Sequence, residues 1–383
     1  MNIHLDALLN LPGVTIETCT TQEPAIYLRL EVLKDTGECP HCHEVSREVN
    51  QVRYRTVRDL SISGRATYLE IPSRQFYCQS CQKYFTETLE FVEPRRAYTR
   101  RYEEALYRRV QQSSLTQVGR EEGLKFDAVE GIFKHQCSKS KELKPAKKLS
   151  IDEFSHRKGR GKFATVISDI EAGELLEVLN THEQAAIIEA LSKLPLEWRQ
   201  AIEEVSVDMW GGFPKVIQEV FPKARIVTDR FHVMKAVLED LERVRRQSQK
   251  QKVKGARYIL GKNAEDLTPE QQEKLQLILQ GSKRLEEAYY LKEEFRQIYE
   301  TQQTPAQAQK QFQDWLQRAQ QVFNRCVKTI RNHLEGICNY FLSRTTSGVM
   351  EGINNRIKLI KRQAYGFTVF ENLRQRLLAC FSD

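Results

Sequence analysis

Leu149-Ser-Ile-Asp-Glu-Phe154, Lys162-Phe-Ala-Thr-Val-Ile-Ser168 and Glu174-Leu-Leu-Glu-Val-Leu179 read as three successive β-strands, the last two joined by the turn Glu171-Ala-Gly173. Ala185–Leu194 then suits a helix. Glu204-Val-Ser-Val-Asp208 and Ala224-Arg-Ile-Val-Thr-Asp229 are short apolar strands separated by a helix around Lys215–Val220. Three meandering strands that pass into alternating helix and strand define a mixed α/β sheet. Asp152 interrupts an apolar run, where an isolated Asp is disfavoured unless it meets a partner or a cation. Asp208 and Asp229 end their strands, which is where the crevice of an α/β sheet collects ligands.

Downstream, from Val233 to about Ser343, the chain is rich in Gln, Glu and Lys, has helical spacing and carries no strand signal. Apolar anchors recur there (Leu275, Leu277, Ile278; Phe312, Trp315, Leu316), so the segment reads as a folded helical insertion and not as disorder. Ser347-Gly-Val-Met-Glu-Gly-Ile-Asn-Asn-Arg-Ile-Lys-Leu-Ile-Lys-Arg362 is an amphipathic helix. At about 100° per residue, Glu351, Asn355, Lys358 and Arg362 share one arc, and Val349, Ile353, Ile357, Ile360 and Ala364 share the opposite one. One face packs; the other offers a carboxylate, an amide and two cations, which suits a metal ligand followed by phosphate contacts. Carboxylates from separate elements can hold two Mg²⁺ (or Mn²⁺) ions for phosphoryl transfer. Asp208 and Asp229 both end strands, and Glu153 adjoins Asp152 on the other face of its strand. Position at a strand end alone leaves Asp208 and Asp229 close as candidates.

Upstream, the first ~92 residues alternate like strands and contain Cys39-Pro-His-Cys42 and Cys78-Gln-Ser-Cys81, 35 residues apart. Each pair can place two thiolates on one turn, and the two turns complete a closed tetrahedral Zn²⁺ site, structural and not catalytic. His41 and His43 read as solvated turn residues. Leu115–Ile132 fits a helix-turn-helix: Gly119 is the small residue at the helix crossing, Gly123 sits at the turn, and Val118, Leu124, Val129 and Ile132 are apolar. Phe126–Gln136 would be the recognition helix, with Lys134 and His135 near its end facing DNA, and Thr99–Gln112 the supporting helix.

The chain has 383 residues, enough for two to four domains. No stretch approaches the ~18 apolar residues of a membrane span, and the first ten residues lack a signal-peptide pattern. Nine cysteines, an odd number, with four in Cys-x-x-Cys pairs, favour a reducing compartment and metal ligation over disulfides. The net charge of +8 is concentrated: residues 94–148 carry 14 cations against 7 acids, 233–260 carry 8 against 3, and 352–383 carry 6 against 2. Separated basic blocks are what a long polyanion would meet.

Taken together, Ser150-Ile-Asp-Glu-Phe, Lys162-Phe-Ala-Thr-Val, Val207-Asp-Met-Trp, Thr228-Asp-Arg-Phe-His-Val, Met350-Glu-Gly-Ile-Asn-Asn-Arg-Ile-Lys and Tyr365-Gly-Phe resemble the DDE transposases of bacterial insertion sequences. The likeness is to the zinc-ribbon-containing ISL3 family and spans roughly residues 35 to 380. It implies a multidomain chain: a zinc ribbon over 1–92, a helix-turn-helix over 93–146, and a ribonuclease-H-like core over 147–232 completed by 345–383. An all-α insertion over 233–344 would interrupt that core. It implies Asp152, Asp208 and Glu351 as the catalytic, Mg²⁺-binding triad, and Cys39, Cys42, Cys78 and Cys81 as zinc ligands. Asp229-Arg-Phe-His232 matches a Cys/Asp-x-x-His motif of related transposases, a supporting role, and Trp210 could stack on an unpaired base or pack beside the sheet. The implied activity is binding of terminal inverted repeats, strand cleavage and transfer to target DNA, by at least a homodimer on DNA, in the bacterial cytoplasm at the nucleoid. Two alternatives remain at this level: a non-catalytic DNA-binding regulator and a structure-selective nuclease on the same fold.

Overall fold

The computed structural model describes residues 5–139, 143–155, 163–209, 211–248, 253–344, 348–364, 367 and 369–381. The chain divides into two units, Met1–Lys141 and Glu142–Asp383.

In the first unit, α1 (Leu5–Leu9) leads into β1 (Val14–Gln22), β2 (Ala25–Val32), β3 (Gly37–Glu38), β4 (Val45–Ser46), β5 (Val49–Ile62), β6 (Arg65–Cys78) and β7 (Lys83–Thr86). The main sheet runs β1-β2-β6-β5, with β7 also on β6; β2 and β6 are parallel, while β3 and β4 form a small separate hairpin. Leu28, Leu30, Leu69 and Ile71 alternate inward to make its core with Phe91 and Val92.

Three helices follow: α2 (Arg100–Gln112), α3 (Leu115–Glu122) and α4 (Phe126–Ser138). Thr99 and Ser114 cap the first two, accepting from the Tyr102 and Gln117 amides. Gly123 closes α3 at φ +64°. A Cβ on Gly119 would lie 2.9 Å from the Leu124 carbonyl oxygen, so the turn between α3 and α4 requires glycine there.

Sheet and helices are welded by buried charge. Asp59 accepts from Thr99 Oγ1 (2.6 Å) and Arg101 Nε (2.8 Å), and Glu122 accepts from Arg58 (2.9 Å) and the Tyr102 hydroxyl (2.8 Å). The zinc-ribbon and helix-turn-helix segments therefore form one unit. Several cations of the 94–148 block are tied within the unit: Arg96, Arg101 and Arg109 are bound to Glu103, Asp59 and Glu122, of which only Asp59 lies outside the block.

The second unit is built on β8 (Lys148–Ser155), β9 (Phe163–Asp169), β10 (Glu174–Leu179), β11 (Glu204–Val207) and β12 (Arg225–Thr228), ordered β10-β9-β8-β11-β12. The first three strands are antiparallel; β8, β11 and β12 are parallel. One face packs on α5 (Gln184–Ser192) and α7 (Phe213–Val220), through Ile151, Val205 and Val207 against Ile187, Val216 and Ile217; α6 (Leu196–Ala201) lies between them in sequence.

The helical insertion comprises α8 (Arg230–Ser248), α9 (Ala256–Gly261), α10 (Pro269–Gln280), α11 (Lys283–Glu300), α12 (Pro305–Ala319), α13 (Arg325–Asn332) and α14 (Leu334–Ser343). Thr268-Pro-Glu-Gln271 and Thr304-Pro-Ala-Gln307 are capping boxes that start α10 and α12. Phe295, Tyr299, Phe312, Trp315 and Phe341 fill its core, and the Trp315 indole donates to the Leu291 carbonyl (2.8 Å). Ile278, Phe312, Trp315 and Leu316 are the buried anchors expected; Leu277 is not, being 67 % exposed. The helix face it occupies meets solvent. Helix α14 covers the β12 edge: Asn339 donates to the Ile226 carbonyl (2.9 Å), and a Cβ at Gly336 would run into the Thr228 hydroxyl. The chain then returns to the opposite face of the sheet as α15 (Gly348–Gln363) and α16 (Phe370–Cys380), packing Met350, Ile353, Ile357 and Ile360 on Ala164, Val166 and Val178.

Candidate functional site

Candidate metal ligands occur in both units. In the first unit, Cys39 and Cys42 lie on the turn after β3, and Cys78 and Cys81 on the turn that ends β6, held by the β3–β4 and β6–β7 hairpins. All four sulfurs lie within 4.8 Å of one another. The Cys42–Cys78 and Cys39–Cys81 separations are 3.5 and 4.0 Å. Four ligands at 2.3 Å around a tetrahedral ion stand about 3.8 Å apart, so the spacing and the donor set fit Zn²⁺. Phe76 stacks on Phe85 (5.7 Å) against the buried side of the cluster. The His41 backbone N–H lowers the Cys39 thiol to about 7, while the Cys42 sulfur pushes Cys81 up to about 12. Crowded thiols cannot all ionise without a cation among them. His41 and His43 are outside the ligand set, and His43 binds Glu38 (2.8 Å).

In the same unit α4 carries Lys134 and His135 differently. Lys134 is half-exposed and pairs along its own helix with Glu130 (3.0 Å). His135 reaches inward, its ring nitrogens on Glu93 (2.9 Å) and Glu103 (3.0 Å). Its ring is an internal tie between the start of α2 and the end of α4.

In the second unit the parallel ladders pair Ile151 with Val207 and Val207 with Thr228. The next residues, Asp152, Asp208 and Asp229, therefore stand level on three neighbouring chains about 4.8 Å apart, with Asp208 in the middle. The Asp229 amide donates to the Val207 carbonyl (2.7 Å), extending the alignment past the strand. His232, on the first turn of α8, lies 3.9 Å from Asp208 and 3.8 Å from Asp229.

Asp152 is held from two sides: its Oδ1 accepts from the Glu153 amide (2.8 Å), and its Oδ2 from the Asn354 side-chain amide (2.7 Å), 202 residues away. Lys361 donates to the Ser155 carbonyl (2.5 Å). Seven helical residues and three strand residues both span about 10 Å, so α15 runs alongside β8 in the same direction. Glu351 is exposed, one turn before Asn354. Asp152, Asp208 and Glu351 are not drawn into a mutual cluster as tight as the four thiols; among the described residues only the cysteines form one.

Asn354 and His333 escape the sequence reading, which sets Glu153 facing away from Asp152. Asn354 fell between the two arcs of α15. Burial, and then the Asp208 charge, raise the Glu153 carboxyl above its ordinary value. His333, at the α13–α14 junction, is lowered by burial, partly offset by Asp208 and a hydrogen bond to the Met209 backbone. Lys358 and Arg362 are exposed on α15, as the arc predicted. Trp210 lies outside the described residues, as do Tyr365 and Gly366.

A four-thiol knuckle and a helix-turn-helix, followed by an α/β unit with acids level at its parallel strand ends, describe a DNA-processing protein. Residues 149–377 match the transposase domain of the ISL3 family, residues 35–81 the zinc finger of the IS204/IS1001/IS1096/IS1165 transposases, and residues 87–137 the helix-turn-helix domain of that family. The chain belongs to the ISL3 family of transposases. It is 29 % identical over 369 residues to the transposase for insertion sequence element IS1001 of Bordetella parapertussis, covering 91 % of this chain and 90 % of the relative. It is 28 % identical over 253 residues to the transposase for IS1557 of Mycobacterium tuberculosis, covering 58 % and 57 %. Among the described residues no helix is long and apolar enough to cross a membrane.

Proposed function

We propose that this transposase is a DDE enzyme that binds the terminal inverted repeats of its insertion sequence, cleaves a strand there and transfers it to target DNA. The observation that carries the reading is the level placement of Asp152 and Asp208 on adjacent parallel strands, with α15 tied to Asp152 through Asn354 so that Glu351 follows one turn away. Three antiparallel strands continued by two parallel ones, with helices on both faces, support a ribonuclease-H-like core.

In this reading Asp152, Asp208 and Glu351 hold Mg²⁺ or Mn²⁺, which when bound supplies an activated water or 3′-hydroxyl and stabilises the leaving oxygen. The rest is done by the chain. Asn354 fixes the Asp152 carboxylate, and His232 spans Asp208 and Asp229 as a positioning group. Lys358 and Arg362 continue the α15 face toward phosphates. Helix α4 reads the repeat, with Lys134 on its outer side, and Cys39, Cys42, Cys78 and Cys81 bind one structural Zn²⁺. Two ends must be joined together, so the working species is at least a dimer on DNA.

The test is cleavage and joining of duplexes carrying the element's terminal repeats. Asp152→Asn, Asp208→Asn and Glu351→Gln should each eliminate cleavage while leaving end binding intact; Asp229→Asn and His232→Ala should impair it less. An Asp208→Asn protein that cleaves normally with Mg²⁺ would overturn the assignment. Binding without cleavage by the wild type would make the protein a regulator, and cleavage blind to the repeats would make it a structure-selective nuclease.

A further inference from the structure

Helix α8 starts at the acidic site, with His232 on its first turn, and ends in Arg243, Arg245 and Arg246. From Lys235 onward, α8 lines with α9 a groove of about 520 Å³. Lys235, Glu239, Glu242 and Arg246, spaced four, three and four residues apart, make one stripe along the groove, and Arg257 faces it from α9. The floor is apolar: Leu241 and Leu260 belong to the insertion core, and Leu238 packs against it.

The charges along this lining do not cancel. Glu242 is shared by Arg245 (2.6 Å) and Arg246 (2.8 Å). Arg243, a lining residue, is bound to Asp240, whose other oxygen accepts the Arg325 (2.9 Å) and Cys326 (2.7 Å) amides at the start of α13. Asp240 is thereby an internal cap. Glu239 is the remaining acid of the lining. Among the described residues neither Lys235 nor Arg257 forms an ion pair, and both are exposed. The surrounding segment 233–260 carries a surplus of five positive charges.

A channel with an apolar floor and cationic rims matches a sugar–phosphate strand, whose deoxyribose faces are apolar and whose phosphates are anionic. We infer that the α8–α9 groove is a DNA-backbone site of the insertion, binding duplex DNA that flanks the cleaved phosphate. This deepens the transposase reading and rests on it. Three to fourteen helical residues separate His232 from Lys235 and Arg246, the two ends of the lining on α8, roughly 5–21 Å. At about 3.4 Å per nucleotide along the duplex, the groove meets phosphates from about one to about six nucleotides from the cut.

The test is binding of the full chain to a generic duplex and to a terminal-repeat duplex over a salt series, without divalent cation. Each lost phosphate contact lowers the slope of log affinity against log salt by about 0.9. The Lys235→Ala/Arg257→Ala double variant should lose about 1.8 of slope on both duplexes. Its deficit relative to wild type should shrink about tenfold between 50 and 200 mM salt. Lys235→Arg/Arg257→Lys should keep the wild-type slope, and both variants should melt like the wild type. Phosphate-ethylation interference should mark sites within about six nucleotides of the cut and weaken there in the alanine variant.

An unchanged slope and footprint would overturn the inference. So would an unchanged slope together with loss of self-association, which would assign the groove to an acidic segment of a protein partner. Repeat cleavage by the wild type is scored separately: its absence would sink the transposase mechanism without touching the slope, and an unchanged slope would sink the groove without touching cleavage.

Discussion

The four-thiol cluster and the proposed acidic site of this chain are assembled in opposite ways. The four thiols sit on two short turns, each within a Cys-x-x-Cys, and a single sheet in one unit brings those turns together. The acids come from one strand, the end of a neighbouring strand, and a helix that returns to the sheet only after seven intervening helices. In the first site, spacing in the sequence already states the ligand set. In the second it states only candidates, and the alignment of Asp152, Asp208 and Asp229 is a property of the parallel ladder.

The contrast can be broken first at the zinc. Cys78→Ser removes a ligand whose site couples to folding, so the Met1–Lys141 unit should lose its cooperative melting transition and release zinc to a chelating dye. The Glu142–Asp383 unit should melt as before. Loss of both transitions would show that the acidic unit depends on the thiols and that the contrast is false.

The next effect lies in the insertion that spaces Asp229 from Glu351. Trp315 is fully buried against Phe295 (4.6 Å between rings). Trp315→Ala should cost about 3–5 kcal/mol of the second unit's stability in denaturant titration, with zinc content unchanged. A smaller loss would mean that the insertion is not the rigid spacer of the acidic site.

Asn354→Ala is a finer cut. It frees Asp152 Oδ2 without removing an acid, and the loss of such an orienting contact lowers metal affinity or activity about 10–100-fold. Raising Mg²⁺ or substituting Mn²⁺ should restore part of the rate, a rescue that Glu351→Gln should not show. An unaffected rate would mean that α15 is placed by its apolar face alone.

The smallest effect is an acid titration. Hydrogen bonds from Arg245, and then from Arg246, depress Glu242 from 4.5 to about 2. Its contribution, on the order of 1 kcal/mol, is present above pH 4.5 and lost as pH falls through 2. Glu242→Gln should therefore destabilise the second unit at pH 7 and converge on the wild type near pH 2. Zinc thiolates protonate at milder acidity, so the first unit should unfold earlier in the same titration. Coincident transitions would erase the distinction between the units.

Much of this was legible in local pattern. The strands Lys148–Ser155 and Glu174–Leu179, the helix-turn-helix from Leu115, the buried stripe of α15 and the insertion's Phe312 and Trp315 each follow from a period of two or 3.6 residues, or from a glycine at a turn. Periodicity says which side of an element is buried, because that depends on a few neighbouring residues.

It is silent on what a polar residue meets across the fold. His135 has the sequence position of a DNA contact, and the packing of α2 on α4 turns it onto Glu103 and Glu93. Asn354 has the look of a surface amide, and the return of α15 to the sheet makes it the partner of Asp152. By itself the sequence determined the four-cysteine set, the helix-turn-helix unit and the order of α/β elements, since each is encoded within a few tens of residues. Only the tertiary structure decided that Asp208 stands between Asp152 and Asp229, and that α15 lies alongside β8. Strand order and helix docking are set by the burial of apolar faces distributed over some two hundred residues, and no local spacing carries that information.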